Sequence, residues 1–251
     1  MSKQDSIIPL TGSMDRISFY KTGDGYIARK KTGVSKNKIA THPAFQRTRE
    51  NMAEFARAGS GSQLVRNTFK QLLKGTADRQ MTGRLTRAMR TVIKADLVSD
   101  RGKRNIVDGE AELLKGFEFN NRAPLGQTLS VNPVSTIDRV TGEHLITIPE
   151  FIPGVNLEAP TGTTHFTVVA TAATIDFEND KYESQLVTSA TLPLNMDTIA
   201  PITLSVQLTA NSTHPIFLVL GIQFTQEVNG KSYSLNSGAF NALTLVDVNG
   251  G

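Results

Sequence analysis

A chain of 251 residues with 39% hydrophobic and 20% charged side chains can bury a sizeable core and does not have the composition of a disordered protein. It holds no cysteine, which excludes disulfides and thiolate metal sites. The net charge of +4 conceals a division: 22 Lys+Arg face 8 Asp+Glu up to Val107, a surplus of +14, and 5 face 15 from Asp108 onward, a balance of −10.

Residues 1–10 offer only Ile7, Ile8 and Leu10 as an apolar patch, shorter than the apolar region of a secretory signal. No stretch reaches the roughly 18 apolar residues of a membrane span. The expectation is a cytoplasmic protein, or a part of an assembled particle.

Residues 16–21 and 26–29 flank Thr22-Gly23-Asp24-Gly25, which reads as a β-hairpin with a tight turn needing positive φ. A basic linker, 30–38, follows. Three helices are then expected. The first starts near Pro43, capped by Thr41 or His42, and turns Phe45, Thr48, Met52, Phe55 and Ala56 inward. Gly59-Ser60-Gly61 is expected to break it, with Ser62 capping a second helix that buries Leu64, Val65, Phe69, Leu72 and Leu73 and ends at Gly75. A third, from Thr76 or Asp78, carries Met81, Leu85, Ala88, Met89, Val92 and Ile93 over an arc of about 140° at 100° per residue. Arg84, Arg87, Arg90 and Lys94 are assigned to its other side. A short helical piece over 110–115 ends at Gly116.

From Phe117 the texture is β. Ile202, Leu204, Val206 and Leu208 alternate with polar residues, the pattern of a half-buried strand. Residues 214–226 are apolar on both parities, which predicts a central strand covered on both faces. Further strands are expected over 144–149, 163–177, 182–188, 232–235 and 240–248. Turns about every ten residues favour an antiparallel sandwich over a βαβ fold.

Catalytic signatures are weak. His42, His144, His165 and His214 are scattered, with no metal-binding or triad spacing. Gly59-Ser60-Gly61-Ser62 offers backbone N–H groups to a phosphate but lacks the lysine of a P-loop. Asp176, Glu178 and Asp180 crowd three carboxylates, as calcium sites do, without the glycine and distal glutamate of an EF-hand loop. An acidic hairpin turn explains them more simply. No cofactor or metal is expected. The most suggestive feature is positive charge: Arg29, Lys30, Lys31, Lys36 and Lys38 in the arm, Arg84, Arg87, Arg90 and Lys94 on the helix, and Arg101, Lys103 and Arg104 beyond it. The ordinary reading of such a stripe is a solvated or intramolecularly paired helix face; beyond that, these residues suit the acidic half of another copy, or phosphates. The helix stripe has no interleaved aromatics to stack on bases.

Phe19-Tyr20-Lys21, Gly25-Tyr26 and Ala28-Arg29, the run from Pro43 through Asn51, Arg101-Gly102, Gly116-Phe117-Glu118-Phe119-Asn120 and Gly162-Thr163-Thr164-His165-Phe166 together resemble a protein family of Bacteroidetes-type bacteria. No activity is known for that family, so the resemblance implies a bacterial protein and no functional residues.

The sequence thus predicts an α+β protein. A hairpin and basic linker arm (1–40) and a helical region of about three helices (41–116) precede an antiparallel β-sandwich (117–251). The expected function is non-enzymatic: a structural or self-assembling homo-oligomer joined through its basic and acidic halves. The alternative is a capsid-like protein whose Arg/Lys stripe neutralises nucleic-acid phosphates.

Overall fold

The computed structural model describes residues 2–4, 8–30 and 33–251. Its contacts divide the chain into two compact units, Met1–Glu50 and Asn51–Gly251.

In the first unit four antiparallel strands form one sheet: β1 (Ser2–Lys3), β2 (Gly12–Met14), β3 (Ile17–Thr22) and β4 (Gly25–Lys30), in the order β1-β4-β3-β2. The expected hairpin is β3–β4. Its turn is Gly23-Asp24, with Gly25 at φ +116°, a conformation few side chains tolerate. Both hairpin edges are already covered, one by β1 and the other by β2. Part of the expected linker is a short helix, α1 (Lys36–Thr41), capped by the Ser35 hydroxyl accepting from the Lys38 N–H at 3.3 Å. Lys31 and Thr32 lie outside the described residues, as do Met1 and residues 5–7. His42 caps the 3₁₀ turn Pro43–Phe45 through Nδ1, which accepts from the Ala44 N–H at 3.2 Å.

The expected break at Gly59-Ser60-Gly61 is absent. A single helix, α2 (Gln46–Thr68), runs through it, so the three-helix reading of this region does not hold. Each interior glycine costs a helix about 1 kcal/mol, and tertiary packing outweighs that. A Cβ on Gly61 would overlap the Ile106 side chain, and Ala58 and Ser62 beside it are fully buried. The inward face also differs from expectation: Met52 and Phe55 are 59% and 56% exposed, while Glu54 is 3% exposed. Glu54 accepts the Gly102 N–H at 2.9 Å, and Arg57 donates to the carbonyls of Gly102 (2.7 Å) and Arg104 (3.0 Å). The helix is turned so that these charged groups hold the loop that contains Gly102 and Arg104. Gly59 has no neighbour within 4 Å of its missing Cβ. Gly59→Ala is therefore expected to stabilise the protein by about 0.5–1 kcal/mol. Gly61→Val should cost about 1–3 kcal/mol by overpacking. Urea denaturation of both variants checks the contrast.

A single turn, α3 (Lys70–Leu73), leads to α4 (Met81–Lys94), which buries Met81, Leu85, Met89, Val92 and Ile93 as its spacing predicts. The loop that follows wraps around fully buried Asp96. Its carboxylate accepts from the N–H groups of Val98 (2.8 Å), Ser99 (2.8 Å) and Asn105 (3.0 Å).

The rest is antiparallel β with two one-turn helices. In chain order it comprises α5 (Leu125–Thr128), β5 (Val134–Ile137), β6 (Glu143–Ile148), α6 (Pro153–Asn156), β7 (His165–Asp176), β8 (Lys181–Thr188), β9 (Leu192–Pro193), β10 (Ile202–Gln207), β11 (Ile216–Val228), β12 (Lys231–Ser234) and β13 (Ala242–Asn249). Three strands form one sheet, β10-β6-β5. Six form the other along β12-β11-β7-β8, with β13 also on β11 and β9 also on β7. Strands β7 and β11 are covered on both faces. Val169, Ala173, Phe217 and Val219 join Leu85, Met89 and Val92 of α4 in one core. Val168, Ala170, Leu218 and Leu220 join Ile146, Ile148, Leu204 and Val206 of the smaller sheet in another. The fold is α+β in three layers, with α2 and α4 sharing a core with the strands.

On β6, His144 is 1% exposed, and neither ring nitrogen has a hydrogen-bond partner. Burial holds its pKa below the usual histidine value; the Asp138 carboxylate opposes that shift and Arg139 adds to it. The unfolded chain therefore binds the proton first as pH falls. Stability is fully present above about pH 6.5 and declines below it by at most about 1.4 kcal/mol per pH unit, down to the depressed folded value. His144→Leu is expected to be neutral or stabilising at pH 7.5 and to flatten the profile between pH 6.5 and 5. Thermal unfolding across that range reads the difference, and an unchanged slope would refute the assignment.

Candidate contact surfaces

The positively charged residues singled out by the sequence fall into three settings. The first is on the small sheet. Arg29 and Lys30 are exposed at the end of β4, where the ladder sets Ile17 opposite Lys30 and Met14 opposite Ile17. A hollow of about 460 Å³ there is lined by Met14, Arg16, Ile17, Arg29 and Lys30 among others. Arg16 was not among the expected contact residues; only the register across β2, β3 and β4 brings it to the other two cations. Lys36 and Lys38 are exposed on α1, and Lys31 lies outside the described residues.

The second setting is α4, where the stripe divides. Arg84 is spent within its own chain: it pairs with Asp78 at 2.5 Å, donates to the Glu118 carbonyl at 2.6 Å, and lies 5.1 Å from the Phe117 ring centroid. Helical geometry explains the difference. At roughly 100° per residue Arg84 stands about 40° from the apolar arc, whereas Arg87, Arg90 and Lys94 lie a further 60–120° round. Arg87 and Lys94 are exposed, and Arg90 is half-buried.

The third setting is the loop after α4. Arg101 donates to Asn51 Oδ1 at 3.0 Å, and exposed Lys103 lies 3.6 Å from Asp100. Arg104 is half-buried, and its carbonyl is held by Arg57.

Two other motifs, far apart in sequence, meet in space. The glycine–serine run lies inside α2, where its backbone N–H groups serve the helix rather than a phosphate. Opposite it is the turn joining β7 to β8. Two adjoining hollows of about 540 and 460 Å³ share Ser60 and Asp180 as lining residues. Together they form a groove lined on the helix side by Ala56, Gln63 and Asn67, and on the strand side by Phe177, Glu178 and Tyr182. The Asp176 carboxylate builds the turn itself, accepting from the N–H groups of Glu178 and Asn179, both at 3.0 Å, and from the Asn179 side chain at 2.7 Å. Those bonds hold its pKa below the usual carboxylate range, the Asn179 side chain foremost. Glu178 and Asp180 point their charge outward and are exposed.

The histidines do not converge. His42 caps a turn, His144 is buried alone, His165 Nε2 lies 3.6 Å from Glu227, and His214 Nε2 lies 3.8 Å from Asp176. Among the described residues no group of three or more His, Asp or Glu side chains is placed to hold a metal ion, and no helix is long and apolar enough to cross a membrane. Compared with protein-family models, curated proteins and solved structures, the chain finds no match.

Proposed function

We propose that this chain is a non-enzymatic, self-assembling structural protein. Its sandwich of sheets and the helices on it form the body, and the basic first unit makes contacts with neighbouring subunits. One observation carries the reading: in the first fifty residues, no described residue is buried. A small sheet with no buried side chain gains little against the entropy of ordering it. Burying part of its surface against another molecule supplies what it lacks. The opposite charges of the two halves of the chain favour that partner being another copy, so a homo-oligomer or larger particle is the product. A bacterial origin within the resembled family is compatible with this.

Exposed Arg87 and Lys94 on α4 favour a second reading, a capsid-like protein that also neutralises nucleic-acid phosphates. Sedimentation velocity and negative-stain microscopy at low salt test the first reading. Large, regular assemblies are the expected result, and a monomer at high protein concentration refutes it. The ratio of absorbance at 260 and 280 nm in the same purified material tests the second.

A further inference from the structure

Strand β8 ends the path β12-β11-β7-β8, and among the described residues no strand pairs with its outer side. The Ser189 N–H donates to the Val168 carbonyl at 2.8 Å, one step past the Val169–Thr188 pair of the ladder. Hydrogen-bonded and non-bonded pairs alternate along antiparallel strands. The backbone groups of Lys181, Glu183, Gln185 and Val187 therefore turn to β7, and those of Tyr182, Ser184, Leu186 and Thr188 turn outward. Among the described residues no backbone group bonds to that outer row.

Proteins blunt such edges by shortness, proline, bulges or charge. At eight residues β8 is longer than β5, β10 and β12, the other end strands of the body. It holds no proline and runs in unbroken register along β7. Leu186 packs against the core shared with the helices and Val187 against the core shared with the smaller sheet. Both faces are thus covered there while the edge stays open. Glu183 is occupied within its own chain, accepting the Thr209 N–H at 3.2 Å.

A row of outward N–H and C=O groups is completed by another strand, and β8 suits its own copy. A two-fold axis at Gln185 sets Tyr182 opposite Thr188, and Ser184 opposite Leu186, of the second copy. All four outward residues then bond, giving about eight backbone hydrogen bonds between the chains. No like charges stand directly opposite, because Glu183 meets Val187 and Lys181 meets Ser189 of the second copy. One contact satisfies both edges at once. We propose that β8 pairs antiparallel with β8 of a second copy about this axis, joining the two six-stranded sheets into one. This rests on the self-assembly reading and adds to it an isologous contact within the body.

Ser184→Pro removes an outward N–H and spares every bond to β7, a position where an edge strand tolerates proline. In sedimentation velocity it is expected to associate at least about tenfold more weakly than the wild type, while circular dichroism and thermal unfolding verify its fold. Gln185 stands opposite itself across the axis. Gln185→Lys and Gln185→Glu are each expected to weaken association about three- to fivefold, and an equimolar mixture of the two to recover it. This pair decides the matter if the proline variant does not fold. Hydrogen exchange of the wild-type amides of Tyr182, Ser184, Leu186 and Thr188 is expected to slow as protein concentration rises. Assembly unchanged in a folded Ser184→Pro variant, a mixture no stronger than either variant alone, or outer amides that exchange freely within assemblies overturns this contact and leaves self-assembly standing. A wild type that stays monomeric at high concentration overturns both.

Discussion

Replacing Arg139 with methionine is expected to destabilise the protein by about 3 kcal/mol, among the largest effects of any single substitution here. Arg139 lies between β5 and β6, and its guanidinium collects acceptors from two separate parts of the chain. It donates to the carbonyls of Ser212 (2.7 Å), His214 (2.8 Å) and Asn249 (2.9 Å), to Asn249 Oδ1 (2.5 Å), and to the Gly250 carbonyl. The loop before β11 and the end of β13 are thereby tied to the smaller sheet. Among the described residues no carboxylate accepts from it directly, so removing the arginine leaves carbonyl groups unpaired rather than stranding an opposite charge. Arg139→Lys should recover less than half of the loss, because one ammonium cannot reproduce a planar fork aimed at five acceptors. Urea denaturation gives the energies, and hydrogen exchange of the β13 amides should rise in both variants. A lysine variant as stable as the wild type would show that charge alone, without the fork, suffices.

Asp96→Ala is the second large effect, a loss of about 3 kcal/mol at pH 7 from three backbone N–H groups deprived of a buried acceptor. Asp96→Asn keeps one acceptor oxygen and should lose roughly half as much. Burial pushes the Asp96 carboxyl up, but bonds from the Ser99, Asn105 and Val98 N–H groups outweigh it and hold the pKa below the ordinary aspartate value. Its stabilisation is thus fully present above about pH 4 and fades as pH falls through the depressed folded value. The gap between wild type and Asp96→Ala should narrow in that acidic window and stay constant from pH 5 to 8. This separates Asp96 from His144, whose effect is confined to the interval below about pH 6.5. A gap that changes between pH 5 and 8 would contradict the role given to the Asp96 carboxylate.

The loop that Asp96 organises also shows why part of this fold was hidden from a reading along the chain. Ile106 in that loop lies against Gly61, and Glu54 and Arg57 hold Gly102 and Arg104. None of these contacts is closer than about forty residues in sequence, yet together they decide that α2 is one helix rather than two and which side of it faces inward. Local propensity at Gly59-Ser60-Gly61 favours a break by an amount that such packing readily exceeds. The Met52 and Phe55 positions follow helical periodicity, but a period specifies spacing and not which stripe is buried.

Where local chemistry and burial agree, the residues alone are sufficient. Gly23-Asp24-Gly25 between two runs of β-forming residues determines the hairpin, because the turn needs a residue free to adopt positive φ. The apolar arc of α4, the alternation along β10 and the two-sided apolar run of β11 each determine an element and its inward side, because spacing and hydrophobicity point the same way. The charge division is likewise a property of the sequence. Only the tertiary structure decides that α2 and α4 share a core with the six-stranded sheet, that Arg84 is consumed by Asp78 while Arg87 and Lys94 remain exposed, and that Ser60 and Asp180 line one groove. These depend on pairs of residues far apart along the chain, and the free energy that selects such pairs is packing and desolvation, which no short window of sequence contains.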